Sequence, residues 1–375
     1  MLKGKKLLMT AALMAGVMLL GAGGNVEAAT PSNASAIKVE KLKLTNAWDK
    51  VFAKSDKVNH RKVTFVNRFG ITLAADLYEP KNAVGKLSAI AVCGAFGAVK
   101  EQISGLYAQQ MAERGFLTIA FDPSFTGESG GTPRYVASPD INTEDFSAAV
   151  DFLSVQPNVD PERIGIIGIC GWGGIALNVT AIDTRIKATA VTTMYDMSRV
   201  NANGYFDYDK TARQVDRERM ENRRALNAQR TADYASGEYK RAGGVIDPLP
   251  NDAPQFVKDY HAYYKTPRGY HPRSLNSNDG WNMTSALSFI NTPQLTYIEE
   301  IEVPVLIVHG EKTHSRYFGE DAFEKMTGVK RTGWDTVSGN KELLIIPGAS
   351  HTDLYDQVDI IPFDKLEKFF KDNLK

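Results

Sequence analysis

Cysteine is nearly missing from this chain: two occur in 375 residues, Cys93 and Cys170. So few cannot build a disulfide scaffold, and no CxxC-type spacing offers a structural zinc site. Net charge is missing too, because 44 basic residues balance 44 acidic ones. Without an excess of one sign there is no overall field to draw the protein to nucleic acid or anionic lipid, so a small, neutral partner is expected. Internal repeats and low-complexity tracts are also absent. The apolar run at residues 7–20 follows Lys3, Lys5 and Lys6 and ends near Val26-Glu27-Ala28-Ala29. A basic start, an apolar stretch and small residues make a secretory signal peptide over residues 1–29, cleaved after Ala28 or Ala29. The run is short for a membrane span, and no cysteine near the cleavage point invites a lipid. The expected product is an exported protein, periplasmic or secreted, with no stable membrane anchor after cleavage.

What remains has the composition of a folded globular protein, with 43% hydrophobic and 10% aromatic residues. Residues 63–66 and 73–78 read as a strand pair joined at Asn67-Arg68-Phe69-Gly70. Short apolar runs at 89–92, 117–121, 164–169 and 186–191 then alternate with helical patterns, as in Ile103, Leu106, Tyr107 and Met111 or Phe146, Val150 and Leu153. Strand–helix alternation of this kind predicts an α/β fold, a mostly parallel doubly wound sheet covered on both faces. From 197 to 294 the alternation stops. Arg213, Arg217, Arg219, Arg223, Arg224 and Arg230 lie among Asp216, Glu218 and Glu221, a solvated helical face with local ion pairs. This segment reads as an inserted helical cap, whose Tyr205, Phe206, Tyr263, Tyr264 and Trp281 form cap core or pocket wall. It separates a first core part, 30–196, from a second, 295–375, where strand patterns resume at 303–308 and 343–346 before a last helix carrying Phe363, Leu366 and Phe370.

Ligands of open α/β sheets bind beyond the carboxyl ends of the strands, and three loops there carry chemistry. Gly168-Ile169-Cys170-Gly171-Trp172-Gly173-Gly174 joins a strand directly to a helix. So sharp a turn needs small neighbours and holds a nucleophile, Cys170, in a strained conformation at a helix N-terminus that favours thiolate. His351, just past the last strand in Pro347-Gly348-Ala349-Ser350-His351, is expected to take its proton, the histidine coming last in chain order. Cys93-Gly94-Ala95-Phe96-Gly97 can supply a second oxyanion donor, assigned to Ala95 beside the N–H of Gly171. Gly127-Glu128-Ser129-Gly130-Gly131 matches GxSxG by letter, but it sits in a loop followed by Pro133 rather than a helix, so Ser129 is not taken as a nucleophile.

At these residues the chain resembles the dienelactone hydrolase-like branch of the α/β-hydrolase superfamily. The resemblance is carried by Ala95-Phe96-Gly97, Gly168-Ile169-Cys170 with Gly173-Gly174, Val99-Lys100-Glu101-Gln102 and His314-Ser315-Arg316-Tyr317. It implies an α/β-hydrolase fold and a Cys-His-acid triad that cleaves carboxylic esters or lactones, with no metal and no cofactor. An acyl-enzyme route extends this to thioesters. Two departures stand out, Trp172 between nucleophile and glycine pair, and Gly94 where the branch carries an acid. Thr313 occupies the usual aspartate position, so the acid is sought in Glu311 first, with Asp196 and Asp321 as alternatives. Phe96, Trp172, His314 and Tyr317 are expected to touch the ester-like substrate. Because neighbouring strands lead to Cys93 and Cys170, a regulatory disulfide between them is a further expectation in an oxidising compartment. The alternatives are an acyltransferase or peptidase with the same triad, or a hydrolase-fold binding protein that has lost catalysis. The sequence carries no signal for oligomeric state.

Overall fold

A computed structural model describes residues 39–375; the signal peptide read at residues 1–29 lies outside them. The chain opens with β1 (Val58–Val66) and β2 (Thr72–Pro80), an antiparallel pair whose turn is tied by Asn67, which accepts from the N–H groups of Phe69 and Ile71. Alternation follows: β3 (Leu87–Cys93), α1 (Ile103–Glu113), β4 (Leu117–Phe121), α2 (Pro139–Ser154), β5 (Val159–Ile169), α3 (Gly171–Ile182) and β6 (Ala188–Thr192). The segment read as a cap holds α4 (Met197–Asn203), α5 (Ala212–Ser236), α6 (Gln255–Tyr264) and α7 (Ala286–Ile290). The sheet resumes with β7 (Val305–Gly310), α8 (Arg316–Thr327), β8 (Asp335–Ser338) and β9 (Lys341–Ile346), and the chain closes with α9 (Asp353–Asp356) and α10 (Phe363–Asn373).

The nine strands form one sheet in the order β1-β2-β4-β3-β5-β6-β7-β9-β8. From β4 to β9 every pairing is parallel, while β1, β2 and β8 add antiparallel edges. The parallel strands are apolar on both sides because helices cover both. Along β5, Ile164 and Ile166 pack with Phe146, Val150 and Ile175 from α2 and α3, and Ile167 and Ile169 pack with Tyr107, Leu366 and Phe370 from α1 and α10. Strand β8 was not anticipated, since Asp335-Thr336-Val337-Ser338 is an edge with little apolar signal. No helix among the described residues is long and apolar enough to cross a membrane.

The two-residue period of β3 settles the disulfide question. Ala91 and Cys93 face the α2–α3 side, whereas Cys170 joins the cluster on the opposite side of the sheet. Both thiols are free and buried, and Cys93 sits against the carbonyl of Phe121 at 3.6 Å. The expected Cys93–Cys170 pair is therefore corrected: strand adjacency brings their backbones near, but the side chains diverge.

Candidate active site

Cys170 ends β5 and caps α3 with φ +58° and ψ −128°. Such backbone is costly for a residue with a Cβ, and it is held by hydrogen bonds from its N–H to Thr192 and to its carbonyl from Tyr195 and Gly173. The sharp approach requires glycine at two neighbours. A Cβ on Gly168 would lie 2.3 Å from the carbonyl oxygen of Trp172, and one on Gly171 would lie 2.7 Å from Cβ of Phe96. The closeness of Gly171 to Phe96 brings two loops together beside the sulfur, where the backbone N–H groups of both favour thiolate. The N–H that accompanies Gly171 beside the sulfur is that of Phe96 rather than the expected Ala95, whose carbonyl accepts from Ala98.

His351 is buried behind β9 and makes two hydrogen bonds: Nδ1 to Ser315 Oγ at 3.1 Å and Nε2 to Tyr355 Oη at 3.1 Å. Ser315 Oγ also lies 3.5 Å from the carbonyl oxygen of Thr193, to which it donates. The serine oxygen then accepts from Nδ1–H, which leaves the lone pair of His351 on Nε2, facing the Tyr355 hydroxyl. That hydroxyl also neighbours Cys170, so it lies between the sulfur and the imidazole.

Among the described residues no carboxylate touches the imidazole. Glu311 is exposed and accepts from the N–H of Gly348 at 2.7 Å. Asp196 caps α4 by accepting from Arg199, and Asp321 pairs with the Arg199 guanidinium at 2.6 Å. All three acid candidates are therefore corrected, and a neutral Ser315, two residues past Thr313, holds the position. Burial, with His314 and His309 nearby, takes the His351 pKa well below its ordinary value. Burial also pushes the Cys170 thiol up, against the contacts from Tyr355, Gly171, Phe96 and Tyr260 that favour thiolate. The resting pair is a neutral thiol and a neutral imidazole rather than the thiolate expected from the helix terminus.

Above the sulfur lies a cavity of about 260 Å³ whose walls include Phe96, Tyr195, Met197, Tyr205, Val245, Tyr260, Tyr264, Asn276, Trp281 and Tyr355. Among the described residues no charged side chain lines it. Of the expected substrate contacts, Phe96 is in the wall, stacked near Trp281 with ring centroids 4.6 Å apart. Trp172 is not: it points under the elbow, 1% exposed, against Phe121 and Phe146. The helical turn after Cys170 sends the next side chain into the core, which is why a bulky residue is tolerated there. His314 lies one layer back, hydrogen bonded to Tyr195 Oη and stacked on Phe256 at 4.3 Å. Tyr317 accepts from the N–H of Phe206 at 3.2 Å, fastening the cap instead of facing the cavity. Ser129, in its GxSxG-like loop, accepts from Ala74 N–H at 2.8 Å and donates to the carbonyl of Asp122, so its hydroxyl is committed to structure.

Beside the site, Lys100 Nζ is buried among Glu101 (2.7 Å), Asp122 (2.8 Å) and Glu128 (2.7 Å). Burial opposes the ammonium, but these carboxylates and Asp76 outweigh it and keep it charged. Arg273 from the cap reaches Glu101 at 2.8 Å, and Gln102 donates to the carbonyl of Gly269. Together they moor the cap to the loop that carries Phe96.

Sheet order, elbow and a last-strand histidine define a hydrolase of the α/β-hydrolase superfamily. The chain belongs to the family described as X-Pro dipeptidyl-peptidase (S15 family), which matches residues 70–352. It is 55% identical over 367 residues to the protein called Uncharacterized protein PA2218 of Pseudomonas aeruginosa, covering 97% of this chain and 94% of that one. The crystal structure of that protein superposes with a TM-score of 0.83 at 57% identity, covering 89% of this chain and 100% of the other. A shorter stretch of 135 residues is 32% identical to thiohydrolase AneE of Aspergillus aculeatus, covering 36% of this chain and 41% of that enzyme. The α/β hydrolase GrgF from Penicillium shares the fold at a TM-score of 0.66 with 20% identity, covering 84% of this chain and 99% of that one.

Proposed function

We propose that this protein is an exported hydrolase of carboxylic esters, lactones or thioesters, acting through an acyl-enzyme on Cys170. The single observation that carries the reading is the sulfur itself, held at positive φ at the base of a cavity and with the N–H groups of Gly171 and Phe96 beside it. Cys170 attacks the substrate carbonyl as its thiol proton passes through the Tyr355 hydroxyl to Nε2 of His351. The two N–H groups hold the oxyanion. His351 then returns the proton to the leaving alcohol or thiol, and water, deprotonated by the same imidazole, releases the acid. Ser315 takes the orienting part of the triad acid. It fixes the tautomer, but as a neutral dipole it stabilises the imidazolium less than a carboxylate does.

The name of AneE, a thiohydrolase, supports a thioester among the substrates. The motif residues around Cys170 support a position near the dienelactone hydrolase-like branch, and the basic and apolar leader at residues 1–29 supports export. The family name favours a second reading, a peptidase. Removal of an N-terminal dipeptide requires a partner for the substrate ammonium, because a buried unpaired charge is very costly. The uncharged wall of this cavity supports a neutral acyl group instead. The test compares wild type with Cys170→Ala on short p-nitrophenyl esters, acyl thioesters and X-Pro p-nitroanilides. Turnover of the first two that disappears in the variant is expected. Full activity in Cys170→Ala, or turnover restricted to the anilides, overturns the proposal.

A further inference from the structure

Two polar atoms in the cavity wall are left over once the catalytic contacts are counted. Tyr264 Oη is buried and has no hydrogen-bond partner among the described residues, although Asn276 and Tyr355 flank it. Asn276 Nδ2 donates to the carbonyl of Phe96 at 2.8 Å. Trp281 Nε1 is likewise buried and unpaired, and it can only donate. Both residues line the space above Cys170. By contrast three other wall phenols are used: Tyr195 and Tyr260 pair at 2.9 Å, and Tyr355 holds His351. An unpaired buried hydroxyl or indole N–H costs stability, and it loses that cost when a ligand supplies the missing partner.

We infer that the acyl group taken by this site is short, uncharged and oxygenated: besides the scissile carbonyl it carries a second oxygen, a hydroxyl or a keto group, that accepts from Tyr264 and Trp281. The inference rests on the hydrolase reading above and narrows its substrate class. Size follows from the cavity, which at about 260 Å³ falls below the roughly 300–1,000 Å³ of pockets for drug-sized ligands. Charge is excluded by the walls, which offer neither an anion nor a cation to a charged chain.

The experiment compares S-(3-hydroxybutyryl)- and S-butyryl-N-acetylcysteamine in two ways. Wild type gives the ratio of kcat/KM, and Cys170→Ala, which cannot form the acyl-enzyme, gives the ratio of dissociation constants by calorimetry. One neutral hydrogen bond gained in a buried site corresponds to about a tenfold preference for the hydroxylated compound in both ratios. Tyr264→Phe, which keeps the ring and removes the hydroxyl, is expected to bring the kcat/KM ratio close to one. Trp281→Phe, which removes the indole donor, lowers it in the same direction. Equal constants for the two compounds, or a preference that Tyr264→Phe leaves intact, overturn the inference. A binding preference with no turnover of either compound supports the inference and removes the hydrolase reading, so the two failures are told apart.

Discussion

His309 gives the structure a measurable acid sensitivity that does not depend on any assumed activity. It lies on β7, fully buried, with neither ring nitrogen hydrogen bonded among the described residues. Packing is tight, for a Cβ added to Gly319 would come within 2.3 Å of Nε2. Burial first, then the nearby Arg316 and His314, bring its pKa from 6.5 down to about 3. Between those values the unfolded chain binds a proton that the folded chain refuses, so stability falls as pH drops through this window and levels off below it. For one such histidine the loss between pH 7 and pH 5 is about 2 kcal/mol by linkage. In His309→Leu that share disappears. Urea unfolding of wild type and variant at both pH values should show a decline about 2 kcal/mol smaller in the variant. The comparison is of slopes with pH, so any constant packing penalty from leucine cancels. An identical decline in the two proteins would falsify the assignment of a neutral, proton-refusing His309.

Three further outcomes follow from the site and its supports. Ser315→Ala leaves the Nδ1 donor of His351 unpaired in a dry place, so kcat/KM on a short thioester should fall about 10- to 100-fold, mainly in kcat, with Ser315→Thr recovering part of it; unchanged kinetics would remove serine from the triad. Tyr355→Phe breaks the bridge between sulfur and imidazole, and kcat should drop by about a hundredfold or more while iodoacetamide labels Cys170 more slowly at neutral pH; equal labelling and turnover would mean that the thiol reaches His351 directly. Lys100→Met removes the cation shared by three carboxylates, leaving Glu101 with Arg273, Glu128 with Lys62 and Asp122 buried without a cation, which should cost about 3–5 kcal/mol at pH 7. Glu128, held down to about 2 by Lys100 and Lys62 despite its burial, then protonates readily, so the deficit should shrink towards pH 4; a deficit that ignores pH would refute the ionic account.

The parts of the fold that were legible in the sequence are those whose signal is local. Apolar runs such as 164–169 are continuous because both faces of the sheet are covered, and the glycines around Cys170 are demanded by close approach of backbone. His351 was legible from its place after the last strand. The errors share another cause: each depended on direction in space, which spacing along a chain does not encode. Trp172 follows the nucleophile in sequence yet points away from the substrate side. The N–H of Phe96, not that of Ala95, lies beside the sulfur, because a shift of one residue along a turn redirects an N–H. Residue type alone favours a carboxylate opposite a histidine, and nothing in His314-Ser315-Arg316-Tyr317 marks Ser315 as the group that meets Nδ1. Tyr355, four residues after His351, carries a usable signal in that spacing, and Tyr264 is marked only as one of five aromatics of cap core or pocket wall, because the folding back of that segment is what brings it to the cavity.

The chamber over Cys170 is a joint product of distant stretches of chain. Its floor comes from the ends of β3 and β5, and its roof from residues between 195 and 281. Reactivity and selectivity are thus inherited from separate parts. Lineages that exchange the roof can change diet while the machinery beneath stays as it is, and a protein engineer can do the same.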